Sequence, residues 1–142
     1  MPEPYEERYS GPFEGDCVGP VTVLTTTEKA LVSARIAVPR KVRAVLVLGF
    51  VDFTAGSNAT AVTLATRVGF DTITGSILSF SETIMPVTAT VRYSWTTSAI
   101  ASSATIAPTG SAAYTLTALQ VGATGNGTAN TASIMLVPLG AA

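Results

Sequence analysis

Val87-Thr88-Ala89-Thr90-Val91-Arg92-Tyr93-Ser94-Trp95-Thr96 decides the fold class of this chain. Apolar and aromatic side chains fill every odd position, and Thr, Arg and Ser fill every even one. A period of two belongs to a β-strand with one buried face, whereas a helix would repeat near 3.6. Working outward, the same alternation recurs. Downstream, a Ser/Ala-rich stretch from Thr97 to Ser103 leads to the turn Pro108-Thr109-Gly110, which launches a strand from Ala112 to Val121. Gly122-Ala123-Thr124-Gly125-Asn126-Gly127 reads as a wide hairpin loop, and Ala132 to Leu139 as the final strand. Upstream lie a short strand near Ile77 to Phe80, a loop from Gly69 to Gly75, and an alternating strand from Thr60 to Val68.

The turn Ala55-Gly56-Ser57-Asn58 separates that strand from Val42 to Phe53. Val45, Leu46, Val47 and Leu48 make both faces of this run apolar, as in a central strand covered on both sides. Ala30 to Val38 alternates and is stopped by Pro39, and Val21 to Thr26 is a further short β-prone run. About eight strands at turn-signalled spacing, with no helical periodicity, define an all-β chain. The expected architecture is an antiparallel β-sandwich, jelly-roll-like, over residues 21–142.

Residues 1–20 differ in kind. They hold four prolines, three glycines and five of the nine acids, with Tyr5, Tyr9 and Phe13 spaced by four. The prolines oppose a continuous helix, so an extended N-terminal arm is expected. Its aromatics suit either a groove on a partner or the arm's own domain.

The 142 residues are 47% hydrophobic and only 12% charged, where an ordinary soluble domain has roughly 25%. Mean hydropathy is +0.45, yet Thr, Ser and Gly interrupt every apolar run before the ~20 residues of a membrane helix. The net charge is −1, and no charged side chain follows Arg92. Such a surface has little polar area for a monomer and few edge charges to block association, so neighbouring subunits are expected to cover part of it. The alternative is an ordinary core sheet whose charges happen to lie elsewhere.

The chain has no histidine and a single cysteine, Cys17. It therefore lacks the commonest general base and metal ligand, any intramolecular disulfide and any paired-cysteine metal motif. Glu28, Asp52, Asp71 and Glu82 stand singly near strand ends and read as solvated acids rather than a glycosidase pair. Arg40, Lys41 and Arg43 form the one basic cluster and read as a solvated turn rather than a nucleic-acid contact. Asn58 and Asn126 head glycosylation-type triplets and read as loop residues. No enzyme activity, cofactor, metal, nucleic acid or membrane partner is expected. The first residues resemble no signal peptide, which makes synthesis and assembly in a cytoplasm the default expectation.

Pro108-Thr109-Gly110, Tyr114-Thr115-Leu116-Thr117-Ala118, the glycine-rich loop, and Ala132-Ser133-Ile134-Met135-Leu136-Val137-Pro138-Leu139-Gly140 resemble the closing hairpin of compact jelly-roll modules. Lys29-Ala30-Leu31-Val32-Ser33 followed by Ala44-Val45-Leu46-Val47-Leu48-Gly49 fits the opening half of the same module. Such modules recur in tailed-phage virion proteins (capsid decoration proteins, head fibres and fibre tips), and are similar in outline to trimeric tumour-necrosis-factor and C1q-like sandwiches. The resemblance implies a homotrimer located in a virion, with a larger capsid or tail protein as partner. It makes Tyr93, Trp95 and Tyr114 candidates for the core or the subunit interface. A capsid decoration subunit docking through its arm is the expectation; a fibre-tip or tail adhesin for a host glycan or protein is the alternative.

Overall fold

The structure is a computed structural model that describes residues 17–37, 42–84, 92–106 and 110–140. The strands are β1 (Cys17–Val18), β2 (Thr22–Leu24), β3 (Lys29–Ala37), β4 (Val42–Thr54), β5 (Ala61–Val68), β6 (Ile77–Ile84), β7 (Arg92–Ser102), β8 (Ser111–Val121) and β9 (Gly127–Gly140). The chain is all-β in its described residues, apart from one 3-10 turn at Ser103–Thr105. No helix among them is long and apolar enough to cross a membrane.

One sheet has the order β1-β9-β4-β7, with β2 also paired to β9, and the other the order β3-β8-β5-β6. All pairings are antiparallel. β1 and β2 lie along the same side of β9 as one interrupted edge strand, so each sheet counts four strands. After β2 the chain changes sheet at every connection except β5 to β6. This repeated crossing of two packed sheets is the jelly-roll arrangement. Because Cys17 and Val18 pair with Ile134 and Ser133, the sheet already begins within the segment expected as an arm.

Alternation explains the core. β4 sends Val45, Val47, Val51 and Phe53 inward, all 0% exposed. Ala34 and Ile36 of β3, Val62 and Leu64 of β5, Tyr114, Leu116 and Ala118 of β8, and Ile134 and Leu136 of β9 meet them. Each such large side chain contributes roughly 1.5–3 kcal/mol when fully buried. At Gly49 a Cβ would stand 2.7 Å from Leu116 Cδ1, so β4 leaves its inward place there to Leu116 of the opposite sheet.

The ends and edges are closed by polar groups. Gln120 is 1% exposed; it accepts from the Gly56 N–H at 2.7 Å and donates to the Leu24 and Gly125 carbonyls at 3.1 Å each. One amide thus joins β2, the β4–β5 turn and the β8–β9 loop. Gly56 is required by proximity, since a Cβ would lie 2.0 Å from the Gly125 oxygen. On one side of the sandwich the edge strands β6 and β7 are laced by hydroxyls. Ser79 bonds Thr66 at 2.6 Å and Thr97 at 2.8 Å.

Two features go beyond the sequence reading. The Ser/Ala-rich stretch after Thr96 is not a connection, because β7 runs to Ser102 and pairs residue by residue with β4 as far as Ala44. Its small side chains carry no alternation of their own, and the apolar partner strand holds the ladder. β4 is central in its sheet, yet among the described residues only its inner face is covered. Leu48 and Phe50 on the outer face remain 36% and 37% exposed.

Candidate functional site

The two outer faces of the sandwich are treated differently by the sequence. On the β3-β8-β5-β6 sheet, Thr115 and Thr117 point outward by register yet are 0% exposed. The loop 69–76 lies across them: the Thr115 hydroxyl donates to the Gly69 carbonyl at 2.8 Å, and the Asp71 N–H to the Ser33 hydroxyl at 2.8 Å. Asp71 adopts φ +49°, which a short polar side chain tolerates. Beside the loop, Arg67 donates through Nε and Nη2 to both oxygens of Glu28, each at 2.8 Å, and through Nη1 to the Gly75 carbonyl at 2.6 Å. Thr117 donates to the same carboxylate. The Arg67 bond outweighs burial and holds the Glu28 carboxyl below its ordinary range. Glu28 is therefore no solvated loop acid, as expected from its isolation in sequence, but half of a closed structural pair.

The outer face of β9, β4 and β7 has no such cover among the described residues. Register sets it out in rows: Val137, Leu46 and Ile100; then Met135, Leu48 and Ser98; then Ser133, Phe50 and Thr96. Ile100 is 67% exposed, and Val18, beside Ser133 at the edge, is 71% exposed. A groove of about 370 Å³ opens between Leu48, Phe50, Thr96, Ser98, Ser133 and Met135. Among the described residues, Asp52 lies a row beyond Phe50 and is paired with Arg92 at 2.8 Å. That pairing lowers the Asp52 carboxyl and raises the Arg92 guanidinium, so neither charge is left over.

The residues singled out from the sequence fall elsewhere. Tyr5, Tyr9 and Phe13, with Arg40 and Lys41, lie outside the described residues; Arg43 is exposed at the start of β4. Tyr93 is half-buried against Phe53, ring centroids 5.9 Å apart at 32°. Trp95 is half-buried and donates from Nε1 to the Ser81 hydroxyl at 2.6 Å. Of the two places expected for Tyr114, core or interface, its position is in the core. It is 0% exposed inside its own subunit, its hydroxyl 2.8 Å from that of Thr105, and burial pushes its phenol pKa up. A residue enclosed in this way offers no surface to a neighbour. Asn58 and Asn126 are exposed loop residues, Asn58 bonding the Thr124 hydroxyl at 2.7 Å. No group of acids and thiols that could hold a metal occurs among the described residues.

What the aromatics did not mark, β4 did. Its second apolar face was the available signal for Leu46, Leu48 and Phe50, and nothing local announced Ile100.

The fold and this face define an all-β jelly-roll sandwich in which a loop and an ion pair cover the centre of one outer sheet, while among the described residues the other has an uncharged apolar face without such a cover. No protein-family model matches the chain, and no curated protein matches its sequence. Solved structures are similar in fold. The VP2 subviral particle of infectious bursal disease virus matches with TM-score 0.52 at 12% identity, covering 87% of this chain and 32% of that one. T=1 particles derived from the same virus match with TM-score 0.51 at 15% identity, covering 87% and 32%. This chain thus spans about a third of the length of those chains, and the likeness is one of fold.

Proposed function

We propose that this chain is a structural subunit of a virion that works by assembly rather than catalysis. In this reading it is a capsid decoration or cement subunit of phage type. It trimerises through its sandwich, and the arm of residues 1–20 grips a larger capsid protein through Tyr5, Tyr9 and Phe13. The observation that carries the proposal is the apolar face of β9, β4 and β7, which nothing among the described residues covers. A jelly roll shared in fold with a viral capsid protein is consistent with it. The reading requires no cofactor, nucleic acid or membrane.

Light scattering on the full chain over a concentration series tests it. The expected mass is three times the 14.5 kDa of one chain, and a single-chain mass throughout would overturn it. In the full chain, replacing Tyr5, Tyr9 and Phe13 together by Ser leaves the mass unchanged if the arm docks on another protein. A drop in mass assigns the arm to its own trimer.

A second reading, a fibre-tip or tail adhesin, is favoured by one feature. Phe70 stands 50% exposed in the loop 69–76, with the Arg35 guanidinium 4.7 Å from its ring centre. A loop aromatic of this kind suits stacking on a host glycan. Glycan-array binding lost in Phe70→Ala, with unchanged mass, would select this reading.

A further inference from the structure

We infer that the outer face of β9, β4 and β7 receives a second copy of this chain, Ile100 of one copy seating in the groove between Phe50 and Met135 of the other. The inference rests on the assembly reading above and supplies its surface. Three observations choose a like copy as the occupant.

The first is shape. Ile100 projects from the edge strand β7, with the small Ser98 and Ser102 beside it along the strand and Leu46 across the ladder, and is 67% exposed. The groove of about 370 Å³ lies in the adjoining rows of the same face, floored by small residues and walled by Leu48, Phe50 and Met135. Knob and hole therefore occur on one surface, as self-association requires.

The second is charge. Across the rows from Val137 to Thr96 there is no ionisable side chain, and the first pair beyond them, Asp52 and Arg92, is already neutralised. A copy of the same face brings no unpaired charge to this contact. An acidic or basic partner would have to strip its charges of water against hydrocarbon, without compensation.

The third is the contrast with the opposite sheet, whose edge strand β6 leaves the large apolar Ile77 and Phe80 in water but whose centre is covered. There the chain spends a bidentate ion pair and a loop on covering Thr115 and Thr117. Nothing equivalent among the described residues covers Leu48 and Phe50.

Size sets how strong the contact is. Three strands about 4.8 Å apart, over nine residues rising about 3.3 Å each, present roughly 400 Å². A standard interface uses about 800 Å² per partner. An isolated pair is accordingly weak and concentration-dependent.

Disulfide trapping and light scattering test the inference together. In a Cys17→Ser background, Ile100→Cys and Met135→Cys chains are prepared separately, mixed and mildly oxidised. The mixture is expected to form a covalent dimer faster than either variant alone. Ile100→Glu is expected to reduce the assembled mass to that of a single chain, while Phe80→Glu, exposed to 62% on the other sheet, leaves it unchanged. Retention of far-ultraviolet circular dichroism and melting temperature shows that Ile100→Glu still folds. If the wild-type chain assembles but Ile100→Glu assembles equally well, or Phe80→Glu disrupts it as much, the face is wrong and the assembly reading stands. If the wild-type chain has a single-chain mass throughout, both fall.

Discussion

Trp95 of β7 and Ser81 of β6 stand on the edge strands of opposite sheets, joined by an indole-to-hydroxyl hydrogen bond of 2.6 Å. With Ser79 bonded to Thr97, this makes a seam of side chains where the two sheets share no backbone ladder. Trp95 is the only tryptophan, so intrinsic fluorescence reports directly on this seam. Ser81→Ala leaves the indole N–H without its protein partner at a half-buried site. The expected loss is about 1 kcal/mol, read as a lower urea midpoint followed by Trp95 emission. An unchanged midpoint would mean that water replaces the hydroxyl at no cost.

Gln120 is a stronger test of what polar groups contribute here. Gln120→Leu has similar bulk but removes the partner of the buried Gly56 N–H and one bond each from the Leu24 carbonyl, also buried, and the part-buried Gly125 carbonyl. At about 1–3 kcal/mol for an orphaned buried group, the loss should reach about 3 kcal/mol or more. Chemical denaturation measures it, and amide exchange should speed up first at Gly56.

Gly56→Ala probes the same junction by volume. Its Cβ would meet the Gly125 oxygen at 2.0 Å, so the β4–β5 turn and the β8–β9 loop must separate. Destabilisation of at least about 2 kcal/mol is expected, in the range of other overpacked sites. Gly125→Ala should be milder, since its Cβ would stand 3.2 Å from the Ser57 hydroxyl oxygen.

Glu28 carries a pH signature. Arg67 lowers its folded carboxyl below the ordinary value of 4.5. The folded state therefore binds this proton less readily than the unfolded chain does. Its stabilisation is present in full above 4.5 and is lost as the pH falls through the lowered folded value. Glu28→Gln removes this dependence. The stability gap between wild type and variant, measured by urea titration at stepped pH, should be widest at neutral pH and narrow below about pH 4. A gap constant with pH would mean that Thr117 and Arg67 hold the neutral amide equally well.

Most of the architecture was legible because a period of two is written into the chain itself. The inward phase of β3 at Val32, Ala34 and Ile36, and of β7 at Tyr93 and Trp95, follows from alternation alone. β7 beyond Thr96 was not legible, since its Ser and Ala residues are strand only through pairing with β4. Burial of Thr115 and Thr117 was not legible either. It depends on Glu28 and Arg67, separated by 39 residues, meeting over β8. The bare face was half legible: a doubly apolar β4 announces that something covers it, but not whether that cover belongs to the same chain.

The uncharged rows from Val137 to Thr96 also bear on how such a protein is handled. A contact made through them offers salt nothing to screen, so raising ionic strength would not loosen it, and sulfate would tighten it. Its driving force is the release of water from hydrocarbon, which fades on cooling. Purification on ice would weaken such a contact, and a warm column would favour it.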